Sequence, residues 1–597
     1  MGATPYESGV TFRVWAPFAS KVCVAGSFNG WSTEADALFS EGNGYWSADI
    51  SSARVEDSYK FVITNPDQTE LLWKNDPYAR ALTQSNGNSV IASSDFTWDV
   101  DGYHTPPWNE LVIYELHVGT FKFDPASPDR QRGYARGTFN SVISRLDYLR
   151  ELGINAIEIM ASGEFPFDHS WGYNQSYMFA IEHLYGGPNG FRMLVQEAHR
   201  RGIAVIFDVV YNHIGPTDCD LWQFDGWSEN NQGGIYFYND RRRHTDWGDN
   251  RPDYGRPEVR QYLRDNALRW LEQRYCDGLR WDATGWIRNI NGANNDPAND
   301  LPDGWNLMRW INDEIRARQP WKLSIAEDMQ QNPWITKSTA EGGAGFNAQW
   351  EAAFVHGVRS VVTGADDSQR DMSLVKALVE ARYNGDALQR VIYSESHDED
   401  ANGHQRLPEE ISPGAADSYA AKKRSTLAAM LVFTAPGVPM IFQGQEFLQG
   451  GWFDDNRELD WALAETHRGI LTMYRDLIRL RRNWFDNTRG LRGQNLKFFH
   501  VNEADKVIAF HRWEAGGAGD DVVVVMNFAA TAYAAYEFGV PRPGWWRVRF
   551  NSDWQGYSPD FGNQPAYDTV ATVGGRDGMP ASLSIGLGAY SGVILSQ

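Results

Sequence analysis

A (β/α)8 barrel flanked by two β-domains is the architecture this sequence predicts, and three observations carry it. The chain has 597 residues, too many for one hydrophobic core, so several domains are expected. From about residue 106 to 485 near-continuous apolar strands alternate with helical periodicity, the pattern of a parallel sheet covered by helices. Residues 1–105 and 486–597 carry short alternating runs between Gly, Pro, Asn and Ser turns with no helical period, which reads as a β-sandwich at each end.

At the N-terminus, Val10–Trp15 alternates and is closed by Ala16-Pro17, and Lys21–Gly26 follows as a second strand. Residues 101–107 form a polar, Pro-ended linker. The barrel then opens with the run Leu111–Leu116. A helix is predicted over Phe139–Leu152, a strand over Ile154–Met160, a helix over Gly190–Arg201 and an apolar strand over Ile203–Val210. The alternation continues to about residue 482, a length that suits a TIM barrel with long inserted loops. Beyond it, Val507–His511, Val522–Met526 and Trp546–Phe550 read as strands of a closing β-domain.

The formal net charge of -22 repels polyphosphates and argues against a nucleic-acid partner. No apolar run reaches the length of a membrane span, so no membrane partner is expected. Three cysteines, Cys23, Cys219 and Cys276, form neither a CxxC pair nor a zinc pattern. With no apolar leader at the start of the sequence, they point to a reducing, cytoplasmic setting. Aromatic residues reach 14%, including 25 Trp, which suits sugar-ring stacking and a large core equally well. Nothing in the sequence indicates an oligomeric state.

Four polar clusters end predicted barrel strands, at the face where such barrels build active sites. They are Asp208–His213, Asp277–Asp282, Leu323–Asp328 and Val391–Asp398. A single strand-end acid is ordinarily a cap or a solvated charge. Four at one barrel mouth crowd carboxylates together, a costly arrangement that marks chemistry.

The ordered sequences DVVYNH, GLRWD, AED and SHD resemble the four short motifs of the α-amylase superfamily of glycoside hydrolases. The N-terminal FRVWAP…VAGSFNGW is similar to the immunoglobulin-like, starch-binding module that precedes the barrel in branching and debranching enzymes. The resemblance implies Asp282 as nucleophile, Glu327 as general acid/base and Asp398 as third carboxylate. It implies that Asp208 supports Arg280, and that Arg280 keeps the nucleophile ionised and oriented. It also implies that His213 and His397 donate to sugar hydroxyls, and that Tyr173 forms a platform for the reacting sugar, with Trp171 beside it. Asn212 stands where the family often holds a structural calcium or its polar substitute, but neither a metal nor an organic cofactor is expected. The partner is an α-glucan.

The resemblance leaves two reactions open. Tyr393–Glu399, Ile325–Asp328 and the LVIYELHVGTF and SWGY segments look like branching enzymes, which move an α-1,4-glucan segment to a 6-hydroxyl. Asp282–Ala283–Thr284 and the segment 212–216 look like maltooligosyl-trehalose trehalohydrolases, and an amylase-type hydrolase belongs with that alternative. Branching is the expectation. Trp222–Trp227 and Gly450–Asp455 are the aromatic loops expected to hold a second glucan.

Overall fold

The computed structural model describes all residues except 94, 101, 127–135, 168 and 216. Eight parallel strands close into a barrel. In order they are Ile113–Leu116, Ala156–Ile159, Ala204–Val209, Gly278–Trp281, Leu323–Ala326, Ala348–Trp350, Arg390–Ile392 and Val438–Phe442. Every neighbouring pair is parallel, including the closure of the eighth strand on the first. The predicted helix over Phe139–Leu152 is two pieces, Phe139–Ile143 and Leu146–Leu152, interrupted at Ser144 and Arg145. The next forms over Gly187–Arg200, with Pro188 in its first turn, where its missing N–H costs nothing.

Inside the barrel, Ile113, Ala156, Ala204, Ile206, Ile325, Val391 and Met440 pack into one dry cluster. Side chains alternate along a strand, so the residue two positions further on also points inward, toward the barrel mouth. Those positions are Glu115, Glu158, Asp208, Glu327 and Tyr393. The register pairs Glu115 with Glu158 and Asp208 with Arg280. Strand alternation alone therefore sets a ring of ionisable groups on a hydrophobic plug.

The N-terminal module has two four-stranded sheets, one built on Gly9–Trp15 and the other on Lys21–Gly26. Val10, Phe12, Val14, Val22, Val24, Tyr59 and Phe61 are buried in it. It is docked on the barrel. Asn65 donates to the Asp225 carbonyl at 2.7 Å, Lys74 to the Trp222 carbonyl at 2.9 Å, and Phe18 stacks on Trp227 at 4.7 Å. The linker lies flat as well: Tyr103 stacks on His199 at 3.8 Å and Thr105 donates to Asp277 at 3.0 Å, while Asp101 falls outside the described residues.

At the C-terminal end one antiparallel eight-stranded path curls over its own core. Val522–Asn527 is buried on both faces, with Val523 and Val525 turned into the β-domain and Val522 and Val524 toward the barrel. Lys423 of a barrel helix and Asp553 form a buried ion pair at 2.6 Å across that junction. Gly592 lets the β-domain approach that helix, since a Cβ there would lie 2.6 Å from the Met430 sulfur. Cys23, Cys219 and Cys276 are free thiols. No helix among the described residues is long and apolar enough to cross a membrane.

Candidate active site

Arg280 organises the mouth of the barrel. It is fully buried, and its fork donates to Asp208 at 2.7 Å and Asp282 at 3.1 Å through one nitrogen and pairs with Glu327 at 2.8 Å through the other. Its guanidinium also lies 4.3 Å from the Trp350 ring centroid, a cation–π contact at its back. A planar fork that bridges two carboxyl groups fixes both their spacing and their orientation. Retaining glycosidases work with two such carboxyl groups held side by side, and a shared guanidinium keeps this pair together.

Each carboxyl group has a distinct environment. Asp282 accepts from the Asn212 amide at 2.7 Å, and that amide also donates to the Asp282 carbonyl at 2.9 Å. Asn212 Oδ1 faces His213 Nδ1. The amide is thus committed to Asp282 and His213, an arrangement that does not suit a cation ligand. Glu327 accepts from the Ala283 N–H at 2.9 Å. Ala283 holds φ 42° and ψ 52°, a left-handed conformation that L-residues other than Gly rarely adopt. That strained turn aims its N–H at Glu327.

Glu327 titrates far above an ordinary carboxylate, near 8. Burial is the largest cause; the Arg280 charge pulls the other way, and Asp282 and Asp398 push it further up. Crowding contributes, but burial leads, because the barrel plug and loops keep all but 6% of the residue from water.

His397 lies on the other side of the cavity. Burial works to lower its pKa, yet Asp398 and Glu115 outweigh burial and lift it to about 9. Glu115 bonds the His397 ring at Nδ1, and Asp398 lies 3.5 Å from Nε2. Asn402 donates to Asp398 at 2.9 Å. Tyr173 stacks on His397 with centroids 4.9 Å apart and donates its hydroxyl to Asp208 at 2.6 Å. Trp171 meets the same imidazole edge-on at 5.9 Å.

Asp282, Glu327, Asp398, His397, Tyr173 and Trp171 all line one cavity of about 340 Å³. His213, expected from the sequence to donate to a sugar hydroxyl, lies behind its wall instead, as do Asp208 and Arg280 in their supporting positions. Asp208 and Arg280 are sealed beneath Tyr173 and Asp282, and His213 is covered by Trp247, which stacks on it at 4.8 Å. Burial lowers the His213 pKa to about 4, so the ring is neutral. The exposed face in this quarter belongs to Trp247, which the sequence reading missed. It also passed over Glu115, although an acid inside the apolar run Leu111–Leu116 was a usable signal, and Asn402, four residues past Asp398.

The two aromatic loops expected to hold a second glucan are occupied with other contacts. Phe224 is fully buried, and Trp222 and Trp227 carry the docked N-terminal module. Phe453 packs on Trp171 and Phe442, leaving only Trp452 outward in the later loop. On the N-terminal module, Trp31 and Trp73 lie together at 6.4 Å with Trp73 exposed.

Comparison with known proteins agrees with this geometry. Residues 78–252 and 220–510 match the family described as Alpha amylase, catalytic domain. Residues 1–79 match Carbohydrate-binding module 48 (Isoamylase N-terminal domain), and 500–597 match Alpha amylase, C-terminal all-beta domain. A 1,4-alpha-glucan branching enzyme GlgB of Corynebacterium jeikeium is 32% identical over 587 residues, covering 93% of this chain and 77% of that one. Its counterpart in Oceanobacillus iheyensis is 30% identical, covering 92% and 86%. Among solved structures, a putative alpha amylase from Salmonella typhimurium superposes with a TM-score of 0.73 at 21% identity, covering 100% of this chain and 99% of that one. A pullulanase from Anoxybacillus sp. LM18-11 gives 0.75 at 20% identity, covering 100% and 87%, a likeness of fold alone. The chain belongs to the α-amylase family, with the 1,4-alpha-glucan branching enzymes GlgB as its relatives.

Proposed function

We propose that this protein is a 1,4-α-glucan branching enzyme that works by retaining double displacement. The observation that carries the reading is the Arg280 fork, which holds Asp282 and Glu327 side by side in one cavity with Asp398 and His397 opposite, in a chain whose relatives over most of its length are branching enzymes.

An α-1,4-glucan lies across the cavity with one ring on Tyr173. Asp282, ionised against Arg280 and Asn212, attacks the anomeric carbon. Glu327 delivers its proton to the departing glycosidic oxygen, and the reducing-end fragment leaves with that proton. The covalent glycosyl-enzyme holds the segment through the Asp282 oxygen. Glu327, now a carboxylate, takes the proton from a 6-hydroxyl of an acceptor chain, whose oxygen attacks the same carbon and frees Asp282. Two inversions give net retention. Between them the positive charge that develops on the sugar ring faces Asp282 and Asp398.

Incubation with amylose separates branching from hydrolysis. Branching gives new α-1,6 anomeric proton signals and fading iodine colour at a nearly constant count of reducing ends. Rising reducing ends without the α-1,6 signal, or trehalose released from maltooligosyl-trehalose, would assign a hydrolase instead.

A further inference from the structure

A second cavity, of about 410 Å³, opens beside the catalytic one on the same face of the barrel. That volume lies in the range of small-molecule sites. Its wall comes from the segments that follow the fourth and fifth barrel strands, which deliver Asp282 and Glu327, and from the start of the helix Pro302–Arg318, which carries Trp305 and Asn306. Two indoles, Trp305 and Trp334, are set among the amides of Asn294, Asn306 and Asn332. Trp334 is 44% exposed. A part-exposed indole beside amide side chains suits a hexose, whose C–H face stacks on the ring while its hydroxyls exchange hydrogen bonds in the plane.

The indoles are positioned rather than loose. Trp305 donates to the Gly342 carbonyl at 3.3 Å. Gly342, at φ 95°, also lies against the Trp334 ring, which a Cβ there would meet at 3.7 Å. Lys337 lies 4.4 Å from the Trp334 ring centroid, a cation–π contact that fixes the indole. The wall between the two cavities is rigid too. Arg288 and Asp328 form a buried bidentate pair, both bonds 2.8 Å, with Arg288 lining one cavity and Asp328 the other. Asn294 reaches across to the Gln330 carbonyl at 3.1 Å, and Gln330 lines the catalytic cavity.

We infer that the Trp305–Trp334 cavity anchors a stretch of α-1,4-glucan on the leaving-group and acceptor side of the reaction, at a distance from the reacting bond. The side follows from the Arg288–Asp328 wall, because Asp328 adjoins Glu327, the group that meets first the departing and then the incoming hydroxyl, and to that extent the inference rests on the proposed function. A chain that runs from this anchor over the Arg288–Asp328 wall presents a hydroxyl to Glu327 while it is held on the far side of that wall. Such an anchor raises the local concentration of acceptor and leaves the chemistry of the catalytic cavity unchanged.

The test compares wild type with Trp334→Ala and Trp334→Phe on long amylose and on a short chromogenic maltooligosaccharide confined to the catalytic cavity. Loss of one stacking face is expected to raise KM for amylose about tenfold with kcat little changed. Trp334→Phe keeps an aromatic face and should recover most of the loss, and the short substrate should be cleaved at the wild-type rate by both. Because Trp334 is half out of the protein, melting temperatures should be unaltered. An unchanged KM for amylose in Trp334→Ala overturns the inference, as does an equal loss on the short substrate. If wild type forms no α-1,6 bonds, the branching reading fails by itself. The same KM comparison, read as reducing ends released from amylose, then still supports the anchor if KM rises and refutes it if KM does not.

Discussion

Replacing Arg280 by Lys isolates what the guanidinium fork does, because the charge stays and the geometry goes. Arg280 makes three charge-assisted contacts, to Asp208 at 2.7 Å, Asp282 at 3.1 Å and Glu327 at 2.8 Å. A Lys ammonium is a single point on a flexible stem, and it cannot bridge carboxyl groups that the fork meets from two separate nitrogens. At least one contact is lost. A hydrogen bond to a charged group contributes about 1.5–3 kcal/mol, and if that loss is felt in the transition state the rate falls about 10- to 150-fold. The fold should survive, since a cation remains among the buried carboxyl groups. Arg280→Ala, by contrast, strands three buried acids and should unfold or aggregate. The assay is kcat/KM on amylose alongside a thermal melt. The pH profile adds a readout that a packing defect would not move. Arg280 pulls the Glu327 pKa down, so a retracted charge should shift the alkaline limb upward. Activity within about threefold of wild type, with an unmoved limb, would refute the claim that the fork sets the catalytic geometry.

Asp282→Ala, Glu327→Ala and Asp398→Ala should each cut activity by several orders of magnitude at near-native melting temperature, and double variants should lose little more, because the three act as one unit. The acid form of Glu327 is present below its raised pKa and disappears as pH climbs through about 8, so kcat/KM should fall along an alkaline limb there; a flat profile to well above that point would assign the proton to another group. Glu158 has both carboxyl oxygens without a described hydrogen-bond partner, and burial raises its pKa well above the ordinary value. The folded state therefore holds a proton that the unfolded chain releases, and the stability it gives is present at low pH and fades as pH rises; Glu158→Gln should melt at or above wild type, with the advantage widening toward alkaline pH. Limited proteolysis should not free the N-terminal module, because Tyr103 and Thr105 pin the linker to His199 and Asp277, and early cutting near Pro106 would contradict that docking.

How far the sequence could be read depended on whether a signal was local. Strands three, four and five are legible because each is an apolar run that ends in the residue whose chemistry matters: Asp208, Asp282, Glu327. The sixth strand, Ala348–Trp350, is only three residues long and has no period to detect. The eighth, Val438–Phe442, follows the helix Tyr419–Thr434, whose last turns are just as apolar, so composition draws no boundary between them. The site follows the same rule. The motif residues were found, but which of them face the cavity depends on neighbours far along the chain. Trp247 covers His213 from a loop that begins after the third strand, and Asp208 is capped by Tyr173 from the second. The aromatic run Trp222–Trp227 was misjudged for a related reason. An exposed glucan loop and a docking ridge share one composition, and only the fold brings Asn65, Lys74 and Phe18 onto it.

The buried layer accounts for the chemistry but not for the choice of acceptor. Glu115, Glu158, Asp208, Asp282 and Glu327 lie together with Arg280 and His397 as the cations. Arg280 takes three of the acids and His397 takes Glu115 and faces Asp398, while burial leaves protons on Glu158 and Glu327. That distribution sets Asp282 beside a protonated Glu327, which the proposed reaction requires equally for hydrolysis and for transfer. Whatever selects a sugar hydroxyl over water must therefore lie above the layer, where the chain of the acceptor can be felt. The rim supplies Trp247, Trp286, Met329 and Gln330 around the catalytic cavity, and Trp305 and Trp334 beyond the Arg288–Asp328 wall. A hydroxyl held in line by contacts of this kind reaches effective concentrations of about 10⁵ M or more in well-oriented cases, against which bulk water competes poorly. Exchanging rim residues while leaving the buried layer intact should thus change the ratio of transfer to hydrolysis more than the rate at which the glycosyl-enzyme forms. A rim variant that slowed formation of the glycosyl-enzyme and left the ratio fixed would move the selecting contacts back into the layer itself.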